Sequence, residues 1–500
     1  MVAADTHREP RTYGNWREPK SPGLLGLGQT GTMALFGALV FIVILTFALG
    51  IWAAVIGLAV LALAIALTTV RDADGRNAIQ RAGARAGFHA ARSSGANLYR
   101  SGPLGRTDWG TTQLPGIAAG TKLSEHLDSY NRPFALVYAP WAKTYTVVLA
   151  TEPDGSALVD QEQIDAWVAQ WGHWLANLGD EPGVEAGAVT IETAPDSGTR
   201  LQMEVAGNID PNAPAFARAM LQETVATYPA GSSTMKAYVT ITFSAVPHQG
   251  AKPLTPHEMG LNLAARIPGM TSSLQSTGAG AARPVAAQEL CEFIRVAYDP
   301  DASVWYDQAR SQGEIPEERW VDVGPTAAQA DWDGYRHDSA YSVTYAMTQA
   351  PRGTVQSSVL SRLIAPHSDI ARKRVTLLYK PIDAARAAGM VDADVNAASF
   401  MATSGSRRGM ARDSLSLAQA RATAAEEARG AGLVNFGMLV TATVTDLEML
   451  PRARAAIANL GPTARIRLRP VYGSQDSAFA AALPLGLVLS KHLAIPSATK

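Results

Sequence analysis

The stretch from Met33 to Val70 limits what this chain can fold into more than any other, because it contains no charged residue. A helix needs roughly 20 apolar residues to cross a bilayer, so the run is about long enough to cross twice. Gly50 sits near its middle and Trp52 follows, where a tight turn and an interfacial aromatic would fall. The run predicts two transmembrane helices, Thr32–Leu49 and Ile51–Val70, joined by almost no loop. A buried helix of a soluble protein is the alternative, and so long a helix without a polar face would need a larger core than this chain can build. Ala53-x-x-x-Gly57 is a small-residue spacing that permits close helix packing, but it is too common in Ala-rich helices to count, and whether copies associate as a homo-oligomer stays open.

The flanks set the orientation. Arg8, Arg11, Arg17 and Lys20 precede the run, and Arg71, Arg76, Arg81, Arg85, Arg92, Arg100 and Arg106 follow it with few carboxylates among them. Short flanks rich in Lys and Arg stay on the cytoplasmic side. Basic flanks at both ends require an even number of crossings. Both termini are therefore expected in the cytoplasm, below the inner (plasma) membrane. The first thirty residues are polar, and no h-region with a cleavage site precedes the body, which argues against a signal peptide. The single cysteine, Cys291, suits a reducing compartment. A net charge of -1 argues against a basic nucleic-acid binder, although local charge is a separate matter.

The rest reads as α+β. The expected plan is a mobile polar tail (1–31), the hairpin (32–70), and a basic juxtamembrane helix with linker (71–120). A first cytoplasmic α+β domain (121–300), a connector (301–338) and a second α+β domain (339–500) follow. Arg71, Arg76, Arg81, Arg85 and Arg92 are candidates for anionic lipid headgroups, each worth about 1 kcal/mol near a membrane surface. Simple topology determinants are the plainer reading. Strands are expected at 134–138, 144–149, 187–194, 199–205, 238–245, 341–347, 374–379, 433–445 and 464–470. Helices are expected at 161–178, 213–227, 256–267, 285–298, 355–364, 414–429 and 446–460, with 269–284 a flexible connector. Trp167, Trp171 and Trp174 recur on one helical face and predict packing on a sheet. Val239, Ile241, Phe243 and Ala245 alternate with Thr240, Thr242 and Ser244 across a strand. Lys236–Thr242 and Arg372–Leu378 are alike in wording, which points to a loosely duplicated, ferredoxin-like unit.

Common catalytic motifs are missing from the sequence. No Gly-Lys dipeptide exists, so no P-loop lysine, and H-E-x-x-H, C-x-x-C and G-x-S-x-G are also absent. Gly26 to Gly31 matches G-x-G-x-x-G, but a polar tail precedes it and an apolar helix follows, so the strand that motif needs is lacking. The reading is of a non-enzyme without cofactor or metal. Two basic features remain. Arg465, Arg467 and Arg469 alternate, which on a strand would place three guanidinia on one face. Arg407 and Arg408 lie in a Gly/Ser loop. Both could meet DNA phosphates or an acidic partner; a solvated sheet face and a loop is the plainer reading.

Arg374–Ile382, Gly432–Thr441, Arg467–Gly473 and Phe479–Gly486 carry a resemblance. With the hairpin, they resemble the actinobacterial conjugative-element family of membrane proteins, type IV secretion-like, encoded beside a TraC-type ATPase and with a PrgI-like hairpin. The organisation is also similar to EccE of type VII secretion. The wording is specific mainly over 339–490. The resemblance implies a structural component of a DNA-transfer or secretion channel, with a separate ATPase and other channel subunits as partners and DNA as a candidate cargo. It brings no catalytic residue, and the motor domain of TraC-type proteins is missing. A type VII component, or a tether binding DNA or anionic lipid, are the other readings.

Overall fold

The computed structural model describes residues 11–14, 16, 28–70, 72, 75–102, 105, 111–155, 157–196, 198–227, 233–248, 250–314, 316–351, 353–404 and 410–492. The chain divides into two compact units, one of residues 16–97 and one joining the segment before residue 16 to residues 98–500.

The smaller unit holds α1 (Gly28–Leu49), α2 (Ile51–Thr69) and α3 (Ala78–Ser94). By length and composition, Thr32–Leu49 is long and apolar enough to cross a membrane; α2 holds the shorter apolar run Ala54–Thr68. Between them Gly50 has φ +84°, a conformation that side chains disfavour and glycine adopts freely. A Cβ added at Gly57 would lie 3.0 Å from Ile42 Cγ1, so α1 and α2 touch where a glycine makes room. The α3 helix begins with a capping box. Asn77 Oδ1 accepts from the Gln80 amide at 2.8 Å, and Gln80 Oε1 accepts from the Asn77 amide. None of its described residues is buried.

The body opens with β1 (Leu98–Arg100), β2 (Lys122–Leu127), β3 (Pro133–Ala139), β4 (Thr144–Glu152), α4 (Gln161–Asp180) and β5 (Val184–Pro195). It continues through α5 (Thr199–Asn208), α6 (Ala215–Thr227), β6 (Ser233–Ser244), α7 (Pro256–Ala264), α8 (Ile267–Gln275), β7 (Ala281–Pro284), α9 (Ala287–Tyr298) and α10 (Ala302–Ser311). Then come β8 (Ala327–Ala330), β9 (Tyr335–His337), β10 (Ala340–Gln349), α11 (Ser361–Ile364), β11 (Arg372–Pro381), α12 (Ala384–Ser404) and α13 (Met410–Glu427). The chain closes with β12 (Val434–Val444), α14 (Leu450–Thr463), β13 (Arg467–Pro470) and α15 (Gln475–Ala481).

One antiparallel sheet of 13 strands among the described residues runs β1-β8-β9-β10-β12-β11-β5-β6-β4-β3-β2. In addition, β13 pairs with β10 and β7 with β4. The sheet passes without a break through the segments expected as two domains, because β5 and β11 pair from Gly187↔Tyr379 to Thr193↔Lys373. One face carries Val147, Leu149, Ile241 and Phe243 under α4, α7 and α8, and Val343, Val375 and Val440 under α11 and α14. Alternation puts the Thr190, Glu192, Thr242, Arg374, Thr376 and Thr441 side chains on the other face. That face is covered by α9, α15 and the segment after α15.

The tryptophan stripe lies on the first face. Trp174 is buried and stacks on Trp171 at 4.8 Å, and Trp171 meets Tyr379 edge-on. Several expectations need correcting. Residues 199–205 are helical in α5, not a strand, and 269–284 hold most of α8 and then β7. The long helix α12 was not anticipated. Lys236–Thr242 lies in β6 and Arg372–Leu378 in β11, strands at different positions in the sheet. The N-terminal segment, expected to be mobile, is held where it is described. Tyr13 pairs with Val355 through two 2.7 Å backbone hydrogen bonds, and its hydroxyl donates to Asp165 Oδ1 at 2.9 Å.

Candidate docking cleft

The expected basic residues separate once placed. In α3, Arg85 and Arg92 are exposed and Arg81 pairs with Asp72 at 3.2 Å; Arg76, just before the helix, is half-buried. Arg71, Arg407 and Arg408 lie outside the described residues. Arg465, Arg467 and Arg469 do not share a strand face. The strand begins only at Arg467; Arg467 is exposed and Arg469 is buried.

Arg465 breaks the alternation for a local reason. The α14 helix ends at Thr463, and the Ile466 amide donates back to the Gly461 carbonyl at 3.1 Å. That six-to-one closure needs a left-handed residue just inside it, usually glycine. Here it is Arg465, with φ +54°. A side chain in that region costs on the order of 1–2 kcal/mol. The guanidinium is held in turn, Nη1 donating to the Thr354 carbonyl at 2.9 Å.

This turn forms one wall of a cleft of about 810 Å³ between α14, β10 and β13. Val343, Ile457 and Leu468 supply an apolar floor, Tyr345 and Tyr472 aromatic walls, and Arg454, Arg465 and Arg467 a basic rim. Asp333 is the one carboxylate in the lining, and Arg454 pairs with it at 2.8 Å. The Arg454 Nε is buried without a hydrogen-bond partner. Tyr472 stacks on Trp332 at 5.6 Å, and the Gly473 amide donates to the Trp332 carbonyl, which fixes that end of the cleft. Burial pushes the Tyr345 phenol up to about 12, so the wall is neutral at physiological pH. An apolar floor with guanidinia at the mouth suits a ligand that is part apolar and part anionic.

A second polar cluster lies buried under the sheet and was not picked out from the sequence. Glu192 Oε2 accepts from Arg374 Nε at 2.9 Å and Nη2 at 2.6 Å, and Oε1 accepts from Arg372 Nη1 at 3.0 Å. Burial pushes this carboxyl up, and the Arg374 and Arg372 charges outweigh that and hold it below its ordinary value. The Arg374 guanidinium lies over the Phe479 and Phe293 rings at 5.3 and 5.8 Å. Nearby, His337 is buried against Phe479 and bonds the Tyr298 carbonyl and Ser342 Oγ; burial lowers its pKa to about 4. Charged residues inside an apolar strand, as in Arg372-Lys373-Arg374, were the available signal. Glu192, Arg374 and His337 are packed away from solvent, which fits a structural role. Among the described residues no group of three or more His, Cys, Asp or Glu side chains forms a metal-sized cluster.

A family described as a domain of unknown function, DUF8461, matches residues 20–80, the stretch that includes α1 and α2. No curated protein matches the chain.

Proposed function

We propose that this chain is a non-catalytic, membrane-anchored component of a bacterial DNA-transfer apparatus of the type IV kind, whose body docks a separate TraC-type ATPase. The observation that carries the membrane topology is the place of the two flanks. Tyr13 pairs with Val355 before the apolar segment, and Leu98 pairs with Gln329 after it, both on the same sheet-centred body. A single crossing would put these two contacts on opposite sides of the bilayer. If α1 crosses, α2 must cross back, and both flanks lie with the body on the basic, cytoplasmic side. A cleaved leader would remove Tyr13 and leave its place beside Val355 empty.

The same proposal reads the body as two copies of one unit. Outward from the central β5–β11 pair, the order β6, β4, β3, β2 on one side runs parallel to β12, β10, β9, β8 on the other. The short strand β7 joins β4 as β13 joins β10. Helical pairs leave at corresponding places, α5–α6 between β5 and β6 and α12–α13 between β11 and β12. The choice of a DNA-transfer system rests on the resemblance over 339–490.

Labelling with a membrane-impermeant maleimide tests the topology. The native Cys291 is buried and its thiol is pushed up to about 12 by burial, so it stays silent. Cysteine at Leu49 should label from outside intact cells, and cysteine at Thr12 or Leu98 only after permeabilisation. Outside labelling at Thr12 would refute the two-crossing reading. Crosslinked isolation from native membranes tests the partner: a conjugation ATPase is the expected companion, and type VII subunits in its place would overturn the assignment.

A further inference from the structure

We infer that α3 lies along the cytoplasmic face of the bilayer and binds the headgroups of anionic phospholipids through Arg85 and Arg92. The inference takes from the function proposed above only that α2 ends at that face. Hydrogen bonds within the small unit fix where α3 starts. Asn77, which caps α3, also donates from Nδ2 to the Thr68 carbonyl in the last turn of α2 at 3.0 Å. The turn between the two helices is closed: the Arg76 amide donates to Asp72 Oδ1 and the Asp72 amide to the Arg76 carbonyl, both at 3.0 Å. Asp72 in turn pairs with Arg81 in the second turn of α3. The start of α3 is thereby held at the level where the apolar helix stops, and α3 is a separate helix, not a continuation of α2.

Arg85, His89 and Arg92 recur at i, i+4 and i+7, so they share one face of α3. A topology signal depends on the number of basic residues, not on their phase, and it counts within roughly 15–20 residues of the span. Arg92 lies beyond that distance from Thr69. The α3 segment contains no Asp or Glu, and Arg85 and Arg92, both exposed, meet no carboxylate among the described residues. No described residue of α3 is buried, and a Cβ added at Gly83 or Gly87 would touch nothing. A helix with two interior glycines and no packing from its own protein needs another surface to hold it. Ile79 and Phe88 are its only large apolar side chains, so that surface attracts it by charge and not by insertion. Pointed straight out, α3 would carry Arg92 roughly 20 Å away at 1.5 Å per residue, past the about 8 Å over which such charges act in physiological salt. Laid along the headgroups, both guanidinia reach phosphate oxygens in charge-assisted hydrogen bonds.

The test follows amide hydrogen exchange in the full-length protein, held in nanodiscs of phosphatidylcholine alone or of phosphatidylcholine with phosphatidylglycerol. Two arginines near an anionic surface are worth about thirtyfold in binding, so exchange over residues 85–94 should slow at least about tenfold in the anionic nanodiscs. The slowing should vanish in high salt and in Arg85→Gln/Arg92→Gln, and persist in Arg85→Lys/Arg92→Lys. Unchanged exchange in β5 and β11 shows that each variant is folded. Equal exchange in the two nanodiscs overturns the inference, as does slowing that survives the loss of both charges or stays confined to the first turn of α3. Equal slowing by inorganic phosphate or duplex DNA in phosphatidylcholine nanodiscs overturns it too. The maleimide labelling reads the crossings separately: equal exchange, with cysteine at Thr12 silent in intact cells, refutes the lipid contact and leaves the topology standing.

Discussion

Replacing Glu192 with Gln should destabilise the body more than any other conservative change in it. The carboxylate is fully enclosed and binds Arg374 through two hydrogen bonds and Arg372 through a third. Gln keeps the shape and loses the charge, leaving Arg374, with its side chain 4% exposed, as a buried cation without its counter-ion. Breaking one partner of a buried pair costs roughly 3–5 kcal/mol. Against a typical total of about 5–15 kcal/mol that is a large fraction. The stack of Arg374 on Phe479 and Phe293 returns part of it, so about 3 kcal/mol is the working figure. Urea unfolding of the full-length protein in detergent, followed by tryptophan fluorescence, reads it directly. The pH dependence has a fixed sign. The folded carboxyl titrates below its ordinary 4.5, so its contribution is complete above that value and is lost as pH falls towards the folded pKa. The gap between wild type and Glu192→Gln should therefore close as the solution is acidified below about 4.5. A loss under about 1 kcal/mol at neutral pH, or a gap that widens with acid, would refute the reasoning.

Other changes have equally definite outcomes. Arg465→Gly should raise stability by about 1 kcal/mol by relieving the left-handed side chain, read as a higher urea midpoint. Gly486→Ala should cost more than about 2 kcal/mol, because a Cβ there would sit 2.3 Å from both Thr146 Oγ1 and Thr242 Oγ1. Tyr13→Phe removes the hydrogen bond to Asp165; about 1 kcal/mol less local stability should appear as faster amide exchange at Val355 with an unchanged global midpoint. His337 is held neutral by burial with its pKa lowered to about 4, so its contribution is complete above the ordinary 6.5 and is lost as pH falls towards 4. His337→Gln should flatten that part of the stability profile.

Local pattern carried most of the elements but not their neighbours. The uncharged run, the alternation through 238–245 and the tryptophan stripe each depend on residues close in sequence, and each lies where the pattern put it. Thr199–Val205 misled because Leu201, Met203 and Val205 alternate, while Leu201 and Val205 also sit one helical turn apart and the residues between favour helix. The Ser/Thr-rich 269–276 looked like a connector, yet Thr271, Ser272 and Ser273 bond their hydroxyls back to the carbonyls of Pro268, Gly269 and Met270 inside a helix. Its Ile267, Thr271 and Leu274 are buried. The threonine face was visible as alternation, but not its cover. Thr242 and Thr376 donate to the Gly486 and Ala482 carbonyls, from more than 100 residues away in sequence. The cleft was half visible. Its arginines were singled out, but the Arg465 turn broke their alternation, and Asp333, Tyr345, Arg454 and Tyr472 come from four separate segments.

The body itself holds both flanks of the apolar segment, Tyr13 pairing with Val355 and Leu98 with Gln329. The N-terminal tie also adjoins the cleft. Gly14 packs against Thr354, whose carbonyl accepts from Arg465. An acidic ligand that drew Arg465 into the cleft would take that hydrogen bond from Thr354, the neighbour of the Val355 that holds Tyr13. Docking and the N-terminal tie then share one residue, and amide exchange at Tyr13 and Val355 should rise when the cleft is filled. Exchange there unchanged by a ligand bound at Arg454 and Arg467 would show the two to be independent.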